Sequence, residues 1–341
     1  MGICVSTASS ETHKAEDGSD NVVVIQNSLQ NEEIPKLDSF HSQQGSKGPN
    51  QDAAILFQGY GGEDGVFCGV FDGHGKNGHI ISKIVRNRLP SLLLDRKNAL
   101  SVLDTAVRDQ DCGDQEDRLE SDSKLMSNKV FHEWKEAYLS AFKVMDKELK
   151  LNEKLDCSTS GTTAVTIIKQ GEDLVIANLG DSRAMLGTLT ENGLMVVQLT
   201  TDLKPSLPSE AERIKKNNGR IFALRNEPDT LRVWLPNDNF PGLAMTRAFG
   251  DFQLKNYGII SIPKISYHRL TVNDQFLVLA TDGVWDVLSV KQVASILWFA
   301  ENRETAAKAV VDAAVTKWRY KFPSSKVDDC TVVCLFLQEK R

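Results

Sequence analysis

Val66-Phe67-Cys68-Gly69-Val70-Phe71-Asp72-Gly73-His74-Gly75 is an apolar run that stops at Asp-Gly. The run predicts a buried strand, and the glycines predict a tight turn beside a carboxylate. Phe276-Leu277-Val278-Leu279-Ala280-Thr281 repeats the pattern by running into Asp282-Gly283. Thr331-Val332-Val333-Cys334-Leu335-Phe336-Leu337 inverts it, with Asp328-Asp329 just before the strand. Further aspartates stand in similar settings: Asp52 in Pro49-Asn50-Gln51-Asp52-Ala53, Asp181 in Asn178-Leu179-Gly180-Asp181-Ser182-Arg183, and Asp251 at the end of Arg247-Ala248-Phe249-Gly250-Asp251. A single Asp-Gly is an ordinary turn. Several strand ends meeting would gather mutually repelling oxygens, which a divalent cation neutralises. Oxygen donors suit Mg²⁺ or Mn²⁺, with water completing the shell.

Outward from these strands, Thr163–Ile168 and Leu174–Leu179 are β-branched runs split by Lys169-Gln170-Gly171-Glu172-Asp173, a hairpin signal. Phe131, Trp134, Tyr138, Phe142, Met145 and Leu149 make one helical stripe. Val293, Ile296 and Leu297 mark a second helix, and Ala306, Val310, Ala314 and Trp318 a third. Ser209 with Glu212 reads as a capping box ahead of a short helix. Strands come in pairs with long helices between the pairs, so the expected class is α+β with one layered core, not a Rossmann alternation. No GxGxxG follows a strand and no GKS/GKT loop occurs, so neither a dinucleotide site nor a P-loop is indicated.

The composition fits a folded chain. Of 341 residues, 41% are hydrophobic and 25% charged, which excludes fibrous and wholly disordered classes. The net charge of −6 argues against a broad nucleic-acid surface. The six cysteines, Cys4, Cys68, Cys112, Cys157, Cys330 and Cys334, form no CxxC pair and no zinc spacing. Cys330 and Cys334 are expected on one strand face, as inert core residues. No apolar stretch is long enough for a membrane span, and no signal-peptide core is present, so a reducing, intracellular location is expected.

The chain begins Met1-Gly2-Ile3-Cys4-Val5-Ser6, the myristoylation pattern, with Cys4 placed to take a palmitoyl chain. Only Lys14 and Lys36 are basic before Phe40, so the reading is dual acylation at Gly2 and Cys4, not a polybasic patch. Residues 1–42 are expected to be a flexible tail and 43–341 the folded domain. Asp109–Lys124 holds seven acidic residues and reads as an exposed acidic loop that would favour basic partners.

The whole series resembles the PP2C (PPM) family of metal-dependent protein serine/threonine phosphatases. The strings fall in the family's order: Asn50-Gln51-Asp52, then Asp72-Gly73-His74-Gly75, Ser160-Gly161-Thr162-Thr163-Ala164, Leu179-Gly180-Asp181-Ser182-Arg183 and Thr201-Asp202-Leu203-Lys204-Pro205. Met245-Thr246-Arg247-Ala248-Phe249-Gly250-Asp251, Thr281-Asp282-Gly283-Val284-Trp285-Asp286 and Asp328-Asp329-Cys330-Thr331 complete it. The likeness covers residues 43–337 or so. The N-terminus and Arg232-Val233-Trp234-Leu235-Pro236 look like a plant branch.

The resemblance implies an α/β/β/α sandwich of two antiparallel sheets flanked by helices, with metals at one end. It implies that Asp72 bridges two Mg²⁺ or Mn²⁺ ions, that the Gly73 carbonyl joins it, and that Asp282 and Asp328 bind the first ion. Asp52 would help hold the second, and Asp181 would join Asp282 at a weaker third. Gln51 stands where many relatives carry Glu, which removes a charge. Metal-activated water would attack phosphorus without a phosphoenzyme, and His74 would protonate the departing oxygen. Lys47 stands where relatives place an arginine on the phosphate, and lysine lacks the bidentate fork. Within Leu186–Gly242, the expected flap, Arg220, Arg225, Arg232 and Trp234 are candidate contacts for protein substrates.

The implied partners are phosphorylated proteins, kinases among them, and the plasma membrane's cytoplasmic face through the acyl groups. No obligate oligomer is indicated. Two rival readings are a pseudophosphatase scaffold that regulates a kinase and a hydrolase of small phosphoesters.

Overall fold

The central strands are apolar on both faces, and both faces are covered. The computed structural model describes residues 10–14, 20–27, 38–108, 119–324 and 326–338. Along the Asp52–Gln58 strand, Ala53 and Ile55 join a core shared with the helices Gly78–Arg108 and Leu119–Lys150. Ala54 and Leu56, on the opposite face, join Leu277, Leu279 and Val333 from a second sheet. The second sheet's other face, with Val278, Ala280, Val332 and Cys334, packs on the helices Val290–Phe299 and Ala306–Lys321. Strands buried on both faces read as continuous apolar runs, not as alternation. The result is the expected α/β/β/α layering.

The first sheet runs, in spatial order, Ser10–Lys14, Val22–Asn27, Asp52–Gln58, Val66–His74, Ala164–Gln170, Asp173–Leu179 and Lys264–Arg269. The short strands Gly161–Thr162 and Phe249–Gly250 extend it beside His74. The second sheet runs Gly193–Gln198, Arg183–Thr190, Asp274–Ala280, Cys330–Phe336 and Asp38–Gln43, all antiparallel. A small third sheet joins Arg220–Leu224, Glu227–Trp234 and Pro241–Leu243 within the expected flap.

Four expectations need correction. Strand structure begins before residue 43: Asp38–Gln43 closes the second sheet, and Val22–Asn27 pairs with Asp52–Gln58. That second pairing is parallel, so the first sheet is mixed. The apolar run Val22–Ile25 outweighs its polar surroundings, because Val22 and Val24 are buried. The buried guanidinium of Arg86 fixes it further by donating to the Asp20 and Asn21 carbonyls at 2.6 and 3.0 Å.

Ser209 and Glu212 form no capping box. The Pro208–Lys216 helix starts after Leu207 with no side-chain cap, and Pro208 lacks one of the N–H groups a cap would satisfy. The capping box is instead at Ser289 and Gln292, ahead of Val290–Phe299.

The acidic segment is helical from Leu119 onward, and residues 109–118 lie outside the described residues. Cys330 and Cys334 do share a buried face, as expected.

Candidate active site

Strand pairing brings the carboxylates together. Asp52 opens its strand and Asp72 lies near the end of the next, so antiparallel pairing sets them directly opposite each other. Like charges in that relation are destabilising unless something compensates. On the second sheet, Ala280 pairs with Val332, which places Asp282 just beyond one strand end and Asp328 just before the neighbouring start. The Thr281 N–H donates to the Thr331 carbonyl at 3.1 Å and closes the junction. The Asp282-Gly283 turn needs its glycine, because a Cβ on Gly283 would lie 1.9 Å from the Asp329 carbonyl oxygen. The Trp318 indole N–H donates to the Gly283 carbonyl at 2.6 Å, so the C-terminal helix steadies this turn.

Burial first, and then repulsion from neighbouring carboxylates, pushes Asp52, Asp72 and Asp282 well above the ordinary carboxylate range. The neighbour is Asp329 for Asp52, Asp52 for Asp72, and Asp72 for Asp282. Asp72 and Asp282 are close enough to perturb each other's titration. Among the described residues, no three acidic, histidine or cysteine side chains are yet converged as a metal site. Cations stand between them instead. The Lys47 ammonium pairs with Asp328 and also feels Asp282 and Asp72. Lys204 reaches Asp181 at 3.3 Å and Asp286 at 3.9 Å. Burial opposes the charge on both lysines, but the surrounding carboxylates outweigh it and hold both pKa values up. Asp181 is buried, and its Oδ1 has no hydrogen-bond partner.

Such a donor set, all oxygen, buried and mutually repelling, has the chemistry of a hard divalent-ion site. Beside it, His74 Nε2 donates to Asp251 Oδ2 at 2.6 Å. Burial pulls the imidazole pKa down, but attraction to Asp251 and its hydrogen bond win and hold it above the usual value.

The comparisons with known proteins agree with this geometry. The family model described as "Protein phosphatase 2C" matches residues 120–318. The chain is 49% identical to a rice protein named "Probable protein phosphatase 2C 12", over 99% of this chain and 92% of that protein. It is 50% identical to the Arabidopsis thaliana "Probable protein phosphatase 2C 72", over 100% of this chain and 99% of that one. The chain belongs to the protein phosphatase 2C family. Among solved structures, the serine-threonine phosphatase 2C from Toxoplasma gondii superposes with a TM-score of 0.75 at 27% identity, covering 88% of this chain and 94% of that one.

In this phosphatase the structure brings Asp52, Asp72, Gly73, Asp282 and Asp328 to one end of the sandwich, with Lys47 and His74 beside them. Asp181 lies between the Asp173–Leu179 and Arg183–Thr190 strands and faces Lys204. Gln51 commits its amide N–H to the Gly75 carbonyl at 2.9 Å. Gly2 and Cys4 lie outside the described residues.

The flap residues differ from expectation. Trp234 is buried, stacks on Phe222 with ring centroids 4.8 Å apart, and donates to the Phe222 carbonyl. It is the core of the small sheet, not a free contact surface. Arg220 bonds the Leu235 and Asp238 carbonyls, and Arg232 bonds Glu227 and the Gly242 carbonyl. Arg225 is exposed between two strands of that sheet.

Four supporting residues have partners that the sequence does not reveal. Asp251 stands out in the sequence only as an acid closing Phe249-Gly250, and Lys204 only as part of Thr201–Pro205. Asp329 accepts the Gly45 N–H at 2.7 Å and the Gln51 N–H at 2.8 Å, holding the loop that carries Lys47. Thr281 donates to Asp52 Oδ2 at 2.8 Å. No local spacing signals these pairings, since each joins segments far apart in the chain.

Proposed function

We propose that this phosphatase hydrolyses phosphoserine and phosphothreonine in proteins without a phosphoenzyme intermediate. One observation supports the reading most: carboxylates from four strand ends of two sheets meet beside an imidazole and an ammonium. Cys68, Cys330 and Cys334 are buried among apolar residues and their thiols are pushed up by burial, so none is poised as a nucleophile.

Asp52, Asp72, Asp282, Asp328 and the Gly73 carbonyl would hold two Mg²⁺ or Mn²⁺ ions, and Asp181 with Asp282 a weaker third. When bound, such ions supply positive charge that activates water as a nucleophile and offsets charge on the phosphoryl oxygens. The chain's own residues do the rest. Lys47 offers a cation to the phosphate at the cost of its bond to Asp328. His74 gives the departing seryl or threonyl oxygen the proton it needs. Burial of the aspartates excludes bulk water, which strengthens each of these electrostatic contacts.

Release of phosphate from a phosphothreonine peptide, with Mn²⁺ or Mg²⁺ and then with chelator, tests the reading. Metal-dependent release that vanishes in Asp72→Asn supports it. Folded protein with no release under either metal would instead make the chain a pseudophosphatase scaffold.

A further inference from the structure

The two ends of the second sheet differ in character. At one end, the Asp274–Ala280 strand leads to Asp282 and the Cys330–Phe336 strand starts beyond Asp328. At the other end, Phe276 and Phe336 are paired, and a cavity of about 640 Å³ lies between them and the turn after the Val290–Phe299 helix. That volume is within the range of about 300–1,000 Å³ usual for small-molecule sites. Leu189, Phe276, Leu297, Trp298 and Phe336 make the walls apolar. Val272 also lines the cavity and is left 83% exposed.

Polar groups on the strand side satisfy one another. The Asn273 carbonyl accepts the Leu189 N–H and the Gln275 side-chain amide N–H, each at 2.8 Å. The Gln275 carbonyl accepts the Leu337 N–H at 2.8 Å. Arg303 is the exception, and it is the one charged residue on the wall among the described residues. Its Nη1 donates to the Gln338 carbonyl at 2.6 Å, and its guanidinium lies 4.7 Å from the centroid of the Phe336 ring. Among the described residues, Nε and Nη2 have no hydrogen-bond acceptor and no carboxylate pairs with the group. Glu304, its neighbour in the chain, instead accepts the Ser39 hydroxyl through its main-chain carbonyl.

A guanidinium anchored through one nitrogen offers the edge formed by Nε and Nη2, a planar pair of donors that matches the two oxygens of a carboxylate. Apolar walls strengthen that attraction relative to water. Walls and charge together define the ligand as one carboxylate on an apolar body. The residues after Gln338 do not meet that description, because Glu339-Lys340-Arg341 has no apolar side chain to fill the space.

We propose that this cavity binds a small apolar monocarboxylate, with the carboxylate on Arg303 and the apolar body among Phe276, Leu297, Trp298 and Phe336. The site is separate from the aspartate cluster and does not rest on the phosphatase reading.

The test follows the five tryptophan indole N–H signals of the full chain in Mg²⁺ as 4-phenylbutyrate is added, with Trp298 assigned through Trp298→Phe. The Trp298 signal should shift to saturation with a Kd of about 1 mM or tighter. Trp285 and Trp318, near Asp282, report binding at the aspartates and should stay in place. 4-Phenylbutan-1-ol and 4-phenylbutylammonium carry the same body with a neutral and a cationic head, and each should bind at least about 10-fold more weakly. Equal affinity for the three overturns the role of Arg303. An unmoved Trp298 overturns the site and leaves the cavity to a side chain of a protein partner.

Two variants locate the carboxylate. Arg303→Met keeps an apolar stem and should weaken 4-phenylbutyrate about 10-fold or more. Val272→Asp places an anion at an exposed position on the cavity and should weaken it about 3-fold or more. Unchanged affinity in either folded variant overturns the contact. Should Arg303→Met lose its cooperative unfolding transition, Val272→Asp and the comparison of the three head groups decide.

Discussion

The Thr281 hydroxyl donates to Asp52 Oδ2 at 2.8 Å and accepts the Thr331 N–H at 3.1 Å. One buried hydroxyl thereby joins the start of a first-sheet strand to the junction that carries Asp282 and Asp328. Thr281→Val keeps the shape and removes the donor, leaving a buried carboxylate and a buried amide each short of a partner. The expected cost is about 1–3 kcal/mol. It should appear in chelator as a lower urea midpoint with an unchanged slope. The Mg²⁺ concentration for half-maximal phosphate release should rise with it. An unchanged midpoint would show that the bond is dispensable.

Lys47 stands between a carboxylate and the expected phosphate. An ammonium offers a compact charge, whereas a guanidinium spans two oxygen partners at once. Lys47→Arg should let one side chain keep Asp328 and still meet phosphate. KM for the phosphothreonine peptide and the inhibition constant for inorganic phosphate should both fall about 3- to 10-fold, with kcat nearly unchanged. If neither constant moves, Lys47 does not touch the phosphate.

The strands and helices were legible wherever burial was continuous. Val66–Phe71 and Phe276–Ala280 needed only their unbroken apolar runs, and the Trp134–Leu149 stripe only its helical periodicity, because their apolar residues must all be covered. The acidic residues at strand ends were legible too, since Asp-Gly after an apolar run is a local pattern. What could not be read is pairing at a distance. His74 and Asp251 are 177 residues apart, and Lys47 and Asp328 are 281 apart. Those pairs exist only because sheet register brings their loops together. Trp234 misled for a related reason: an aromatic in a polar loop reads as exposed until its partner Phe222 is known. The Val22–Asn27 strand was hidden by polar neighbours, and its anchor, Arg86, is on a distant helix.

Asp72 faces Asp52 across the sheet and meets Asp282 from the other sheet. Burial, then repulsion from Asp52, raises its pKa in the folded protein. The folded state thus holds its proton more tightly than the unfolded chain. Stability from this group is complete below the unfolded value of 3.8 and is lost as pH rises through the higher folded value. Protein in chelator should therefore weaken as pH climbs from about 4 toward neutrality. Asp72→Asn should weaken less, and near pH 7 it should be the more stable of the two in chelator by about 1 kcal/mol or more. Excess Mg²⁺ should reverse the order by stabilising only the unaltered site. Equal midpoints for the two proteins in chelator at pH 7 would show that the carboxylates do not strain the fold.

Glu210 behaves in the opposite sense, away from the strand-end aspartates. Its buried carboxylate accepts Arg247 Nη2 at 2.6 Å, Arg213 Nη2 at 2.6 Å and the Thr246 hydroxyl at 2.7 Å. Arg247 also bonds the Ile262 carbonyl and Arg213 the Gly258 carbonyl, so this one acid ties the Pro208–Lys216 helix to the segment around Asp251. Burial alone would raise its pKa, but the hydrogen bonds from Arg247, Arg213 and Thr246 overcome that and depress it from 4.5 to about 2. Stability from Glu210 is therefore present above 4.5 and is lost as pH falls toward 2, about 3 kcal/mol in all. Glu210→Gln removes the charge at every pH and leaves two guanidinium groups without their counter-ion. Near pH 6 it should be less stable by about 3–5 kcal/mol. The gap in urea midpoints between the two proteins should then narrow as pH is lowered from 5 to 2.5, because the native carboxyl takes up a proton while the glutamine does not. A gap that stays constant across that range would show that Glu210 acts through shape and neutral hydrogen bonding and not through its charge.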